Sequence, residues 1–328
     1  MKEIIPLSIR SYVGTLIRNH NRNKGKWLTV AAEEAVESLR ISLKSGYGTL
    51  EYDGTSYEIL FLTKSIDIDL LISNIENISS VVLENCSRIN IIVNENFITI
   101  KEELSTRFPG LQIKVFDENI LFPELQSLRK AISQYNTDRR SWYLQQILKI
   151  LFVYKQDVPI LIIDSDTVII SPLTFLNNSK QLLLVGEGFH FPYSRHTNEF
   201  LGSPPFPFSF VNHCQLQLPS IVREIYGTDI IGSLNHWLAL GHSTAEYSCV
   251  SEFQTYGDFI LRNYPEKVSL FFHEHKLLDL QEFPPNISSE TFREILKRKL
   301  MTQTADLVTT VNKHLAFSQI FPSIRINK

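Results

Sequence analysis

From Tyr57 onward the chain alternates short apolar runs with helical stretches, and nothing else in the sequence constrains its fold as strongly. YEILFLT (57–63), RINIIVN (88–94), LQIKVFDEN (111–119), VPILIIDSDTVII (158–170) and QLLLVGEG (181–188) read as strands, because each is a brief apolar run bounded by turn residues. Between them DIDLLISNIENI (67–78), ITIKEELSTRF (98–108) and SWYLQQILKILFVYK (141–155) space their apolar residues at helical intervals. Strands that alternate with helices pair in parallel through right-handed crossovers, so an α/β fold is expected: a mostly parallel sheet flanked by helices. In such a sheet ligands collect at the carboxyl ends of the strands.

Other parts of the chain have a different texture. Residues 1–30 carry Lys2, Arg10, Arg18, Arg22, Lys24 and Lys26 against the single acid Glu3, interleaved with apolar residues. That pattern suits either a packed helical appendage or a peripheral contact with an anionic membrane surface. AAEEAVESLRISL (31–43) reads as a helix. Residues 189–213, rich in aromatics and proline, read as a long ordered loop. VSLFF (268–272) reads as a strand, and ETFREILKRKL (290–300) and ADLVTTVNKHLAF (305–317) as helices. The expected organisation is a helical extension over 1–56, the α/β unit over 57–280 and a helical segment over 281–328.

Composition excludes several functions. Lys plus Arg number 32 against 35 Asp plus Glu, a net charge of −3, so no excess of positive charge recruits nucleic acid. Three cysteines, Cys86, Cys214 and Cys249, are too few and too scattered for a disulfide framework or a thiolate zinc site. No apolar run reaches the eighteen or so residues of a membrane-spanning helix, and residues 1–14 lack the apolar core of a signal peptide. The expectation is a cytoplasmic protein, either free or peripheral at the membrane's inner face through residues 1–30.

The segment ILIIDSDTVIISP carries the most chemical information. Four apolar residues drive a strand into the core, and Asp164 and Asp166 stand where it emerges, on one side by alternation. Two converging carboxylates repel unless a cation lies between them, and oxygen ligands suit Mg²⁺ or Mn²⁺. SEFQTYGDF (251–259) offers Glu252, Asp258 and, one helical turn from Glu252, Tyr256. The alternative for this segment is a helix capped by Ser251 with its acids near the positive end of the dipole.

RRSWYLQQILKILF followed by IDSDTVIISP resembles the central segment of nucleotide-sugar-dependent glycosyltransferases of the GT-A fold, and VSEFQTYGDF resembles a second segment of a bacterial group of such proteins. The resemblance covers roughly residues 57–275. It implies a Rossmann-like GT-A domain that moves a sugar from a nucleoside diphosphate sugar, with UDP favoured, to a glycan or lipid-linked acceptor in bacterial surface polysaccharide synthesis. It further implies that Asp164 and Asp166 hold Mn²⁺ or Mg²⁺ with His273 or His275 as a third ligand. Thr63, Lys64 and Asp67 would line the nucleobase pocket, and Arg140, Gln146, Lys149 and Ser165 would serve the donor. Glu252, with Asp258 in reserve, would be the base of an inverting transfer. His213, Tyr193 and Tyr256 would meet the acceptor.

Three rival readings stand beside it. A non-catalytic carbohydrate-binding or scaffold protein would keep the fold without turnover. A phosphatase of the haloacid dehalogenase type shares DSDTV, but here the motif continues as extended chain and stops at Pro172. A sugar-nucleotide pyrophosphorylase would need a glycine-rich basic loop after the first strand, where KSIDIDLL stands instead.

Overall fold

The computed structural model describes residues 56–64, 68–78, 85–134, 139–165, 167–169, 175–177, 180–185, 190–203, 206, 209–243, 249–272, 276–279 and 323–327. In chain order these form β1 (Tyr57–Thr63), α1 (Ile68–Ile78), β2 (Cys86–Val93), α2 (Phe97–Arg107), β3 (Ile113–Asp117), α3 (Glu118–Leu121), α4 (Leu125–Ser133), α5 (Arg140–Tyr154), β4 (Ile160–Asp164), β5 (Thr167–Ile169), β6 (Leu176–Asn177), β7 (Lys180–Val185), α6 (Phe191–Leu201), β8 (Cys214–Gln217), α7 (Pro219–Tyr226), α8 (Ile230–Ser243), α9 (Glu252–Asn263), β9 (Val268–Phe272), β10 (Lys276–Asp279) and β11 (Ser323–Asn327).

The main sheet has five strands in the order β3-β2-β1-β4-β8. β1 to β4 are parallel, and β8 runs antiparallel along β4. This is the expected α/β architecture. Every residue of β1 is buried, because a strand with neighbours on both sides and helices on both faces has no solvent face. Alternation divides the core in two. Ile160 and Ile162 of β4 face α4, α5, α7, α8 and α9, whereas Leu161 and Ile163 face α1 and α2. Two three-stranded sheets flank this unit, β6-β7-β9 and β10-β11-β5.

Three sequence expectations need revision. The apolar run 158–170 is two strands: β4 ends at Asp164, and β5 joins a different sheet by pairing antiparallel with β11. The chain must break pairing at Ser165, whose carbonyl accepts a 2.6 Å hydrogen bond from Asn74 Nδ2 of α1. The aromatic stretch 189–213 holds a helix, α6, with Pro192 in its first turn and Gly202 at φ +65° closing it. Proline at the start and glycine past the end are helix boundary signals, and here the abundance of aromatics masks them. Lastly, β11 brings residues 323–327, read as part of a helical segment, into a sheet with β5. The helices expected over 31–43, 290–300 and 305–317 lie outside the described residues, as does the basic segment 1–30. Among the described residues no helix is long and apolar enough to cross a membrane, and all three cysteines are free.

Candidate functional site

Strand register sets out the carboxyl edge of the main sheet. Asp164 lies beside Leu62 of β1, Leu62 beside Ile92 of β2, and Ile92 beside Phe116 of β3. Beyond this row the chain emerges as Lys64, Asn94 and Glu118. Parity within β4 turns Asp164 toward the face that carries α5, and there it meets Lys149.

Lys149 is the centre of the cluster. It is 4% exposed, yet its Nζ donates to Asp164 Oδ1 at 2.7 Å and to Glu252 Oε1 at 2.6 Å. The ammonium also lies 4.4 Å from the centre of the Phe253 ring, a cation–π contact. Burial alone would lower its pKa, but the Asp164 and Glu252 carboxylates outweigh burial and raise it, so the lysine stays charged. Burial would raise the Asp164 carboxyl, and the Lys149 charge with the His213 hydrogen bond holds it well below the usual carboxylate range. Glu252 is raised by burial, which Lys149 opposes. Its Oε2 is buried without a hydrogen-bond partner.

The second oxygen of Asp164 is held from another direction. His213 Nδ1 lies 2.8 Å from Asp164 Oδ2, and a carboxylate can only accept, so Nδ1 carries the proton. The Asp164 amide donates to the His213 carbonyl at 2.8 Å. His213 adopts φ +59°, a left-handed conformation uncommon for a non-glycine residue. It is the turn from residues 209–213 into β8 that brings the ring to Asp164.

Phe206 and Phe210 are in turn fixed by α9. Ser251 caps this helix by accepting from the Gln254 amide at 3.3 Å, the capping arrangement anticipated for SEFQTYGDF. Asp258 accepts from the Phe206 amide and from Gln254 Nε2, both at 3.0 Å, and Gln254 Oε1 accepts from the Phe210 amide at 3.1 Å. Burial pushes the Asp258 carboxyl up to about 7 against these hydrogen bonds. The Phe210 ring lies over Gly257, where a Cβ would come within 2.3 Å of it. Both oxygens of Asp164 are therefore set from α9: one through Glu252 and Lys149, the other through Phe210 and the turn that carries His213.

Beside this cluster a cleft opens over the ends of β1 and β2. Leu62, Thr63 and Lys64 line it from β1, Ile92 and Asn94 from β2, Glu118 from the end of β3, and Ser141, Leu144, Gln145 and Leu148 from α5. Glu118 is tied to Arg129 of α4 by an ion pair. Burial raises its carboxyl, and the guanidinium opposes that rise.

The structure thus gathers Asp164, Lys149, Glu252 and His213 into one cluster, with Thr63 and Lys64 in the adjoining cleft. His213, expected to face an acceptor, is bound to Asp164. Gln146 is buried and accepts from the Glu252 amide at 3.4 Å, so its neighbour Gln145 lines the cleft instead. Tyr256 is a core residue: its hydroxyl donates to Gln181 Oε1 at 2.7 Å and accepts from the Leu218 amide at 2.9 Å. Asp258 lies 2% exposed within the core. Tyr193 stacks near Trp142 with ring centres 6.1 Å apart, away from the lysine cluster along α5, and Arg140 begins that helix on its exposed side. Asp67, Asp166, His273 and His275 lie outside the described residues. Asn94 and Glu118 were not singled out in the sequence, and Gln145 entered only as part of the helical segment RRSWYLQQILKILF that carries the resemblance. Their place just past strand ends, or one helical position from Gln146, is the signal that marks them.

The model of DUF6492, a family of unknown function, matches residues 64–199. No curated protein matches the chain in sequence. Among solved structures, the galactosyltransferase LgtC, in complex with donor and acceptor sugar analogues, is similar at 10% identity and a TM-score of 0.45, over 83% of this chain and 87% of that one. The mannosyltransferase Ktr4p of S. cerevisiae is similar at 10% identity and a TM-score of 0.46, over 80% and 84%. Mouse xyloside xylosyltransferase 1 is similar at 11% identity and a TM-score of 0.40, over 83% and 97%. Likeness at these scores says nothing of reaction or substrate.

Proposed function

We propose that this chain is a sugar transferase that draws on a nucleoside diphosphate sugar, aided by Mn²⁺ or Mg²⁺, and delivers the sugar to a glycan or lipid-linked acceptor. The observation that carries the reading is the pairing of a cleft with a charged cluster at the carboxyl edge of a parallel sheet, the end where ligands of α/β folds bind. The sequence resemblance of 139–172 and 250–259 points the same way.

Among the described residues no group of three or more His, Cys, Asp or Glu side chains converges where a metal could sit. The chemistry of the cluster nonetheless suits a cation. Asp164 and Glu252 bring two negative charges to the single positive charge of Lys149, and Asp164 keeps part of its surface exposed. Each carboxylate oxygen has two acceptor sites, so Asp164 can bind further while Lys149 and His213 hold it. In this reading Asp164 and Asp166 hold the ion, which when bound neutralises charge on the departing diphosphate. Lys149 fixes the Asp164 carboxylate and keeps it ionised. Lys64 stands at the mouth of the cleft for a phosphate. Glu252 is 2% exposed and engaged with Lys149, so we assign it to holding that lysine rather than to taking a proton from the acceptor.

The test is a thermal-shift panel of nucleoside diphosphates and nucleotide sugars on the whole chain, each with Mn²⁺ and with chelator. A ligand that binds the native state alone raises its melting temperature, by about 2.7 kcal/mol of stabilisation at a hundredfold excess over Kd. A nucleotide shift that needs the metal, and that Asp166→Ala removes while the fold persists, is the expected result. Absence of any nucleotide shift in either condition would falsify the transferase reading and leave a carbohydrate-binding or scaffold protein.

A further inference from the structure

The cleft holds one acidic side chain, Glu118, that neither the lysine cluster nor the proposed metal site uses. Glu118 follows β3, and in the register of the sheet β3 is separated from β4 by β2 and β1. Strands lie about 4.8 Å apart, so Glu118 stands roughly 14 Å across the sheet edge from Asp164. That span suits a nucleoside diphosphate lying along the edge, its phosphates at Asp164 and its base at the far end of the cleft. Glu118 is held by Arg129 through Oε1. The arginine fixes the direction of the carboxylate without exhausting it, because each oxygen accepts twice.

A carboxylate can only accept hydrogen bonds, and this decides among the bases. Uracil presents one N–H between two carbonyl oxygens, so it can give one carboxylate oxygen a single hydrogen bond and offers the other oxygen no donor. Cytosine and adenine each present one amino group next to an acceptor nitrogen. Guanine presents two adjacent donors, N1–H and the N2 amine, matching the two oxygens of a carboxylate. Resting on the transferase reading above, we propose that Glu118 reads the Watson–Crick edge of the donor's base, and that the base is guanine. Asn94 and Gln145, amides that donate as well as accept, share the cleft and can meet the remaining oxygen of the base.

The experiment is titration calorimetry of the whole chain at saturating Mn²⁺ with GDP, IDP, UDP, ADP and CDP, repeated with Glu118→Gln. IDP lacks the N2 amine, so the wild-type protein should bind it about tenfold more weakly than GDP, the value of one hydrogen bond to a charged acceptor. Glu118→Gln should weaken GDP by about tenfold or more while leaving UDP unchanged or tighter. The GDP–IDP comparison uses the unaltered protein, so it decides the matter even if the variant folds poorly. Equal affinity for GDP and IDP, a preference for GDP that survives Glu118→Gln, or tighter binding of UDP, CDP or ADP each overturns the assignment. Tighter UDP binding would do so while the transferase reading stands. Failure of all five nucleotides would remove both.

Discussion

Lys149 sits between two carboxylates at 2.7 and 2.6 Å, so removing it takes the counter-charge from both. Lys149→Met should leave Asp164 and Glu252 facing each other without a counter-charge, at about 3–5 kcal/mol of stability. The double variant Lys149→Met with Glu252→Gln should recover a large part of that loss in urea unfolding, since the repulsion goes with the second charge. Equal stability of single and double variants would show that the pair is not coupled. Asp258 gives a pH signature. Its carboxyl titrates near 7 in the folded protein against an ordinary value of 3.8, so between these the folded state retains a proton that the unfolded chain has lost. Stability then falls as pH rises through that window. Asp258→Asn has no such proton, so its deficit relative to the native sequence should shrink as pH rises from 4 to 7.5. A deficit that stays constant with pH contradicts the burial of an ionisable Asp258.

The helix α9 acts as a frame on which the site is stretched, and Gly257 is its tightest point. Gly257→Ala would improve helix propensity by up to about 1 kcal/mol, yet its Cβ would stand 2.3 Å from Phe210 Cγ. Overpacking of this kind costs about 1–3 kcal/mol, so a net loss of stability and a displaced 209–213 segment are expected. The His213 ring resonances report the displacement; unchanged shifts would mean the ring of Phe210 yields freely. Elements of this kind differ in how far the sequence discloses them. β1, β2, β4 and α5 were readable because their burial is written as apolar periodicity, and Asp164 was readable because a carboxylate interrupts such a run. The His213–Asp164 contact was not, since it depends on the antiparallel placement of β8 beside β4 and on a left-handed residue, neither of which leaves a local pattern. Glu118 escaped for the same reason: its place is defined by register across four strands, not by its neighbours in the chain.

Across the molecule, the main sheet and the small sheet that contains β5 differ in their support. β1 and β4 lie between paired neighbours and beneath two apolar layers, so their amides should exchange with solvent through global unfolding alone. β5 has three residues and pairs with β11 from the far end of the sequence. Its amides should exchange faster, by local opening, in native-state hydrogen exchange; equal protection of β5 and β1 would make the two sheets one cooperative unit. The register of β4 against β1 has a further consequence. Leu62 beside Asp164 is the pairing that turns the carboxylate toward α5. A slip by one residue would point it at α1 and α2 instead and leave Lys149 with Glu252 alone. The charged cluster thus penalises misalignment of the strand: a slipped chain keeps the Lys149–Glu252 pair but turns the Asp164 carboxylate into an apolar layer without its counter-charge.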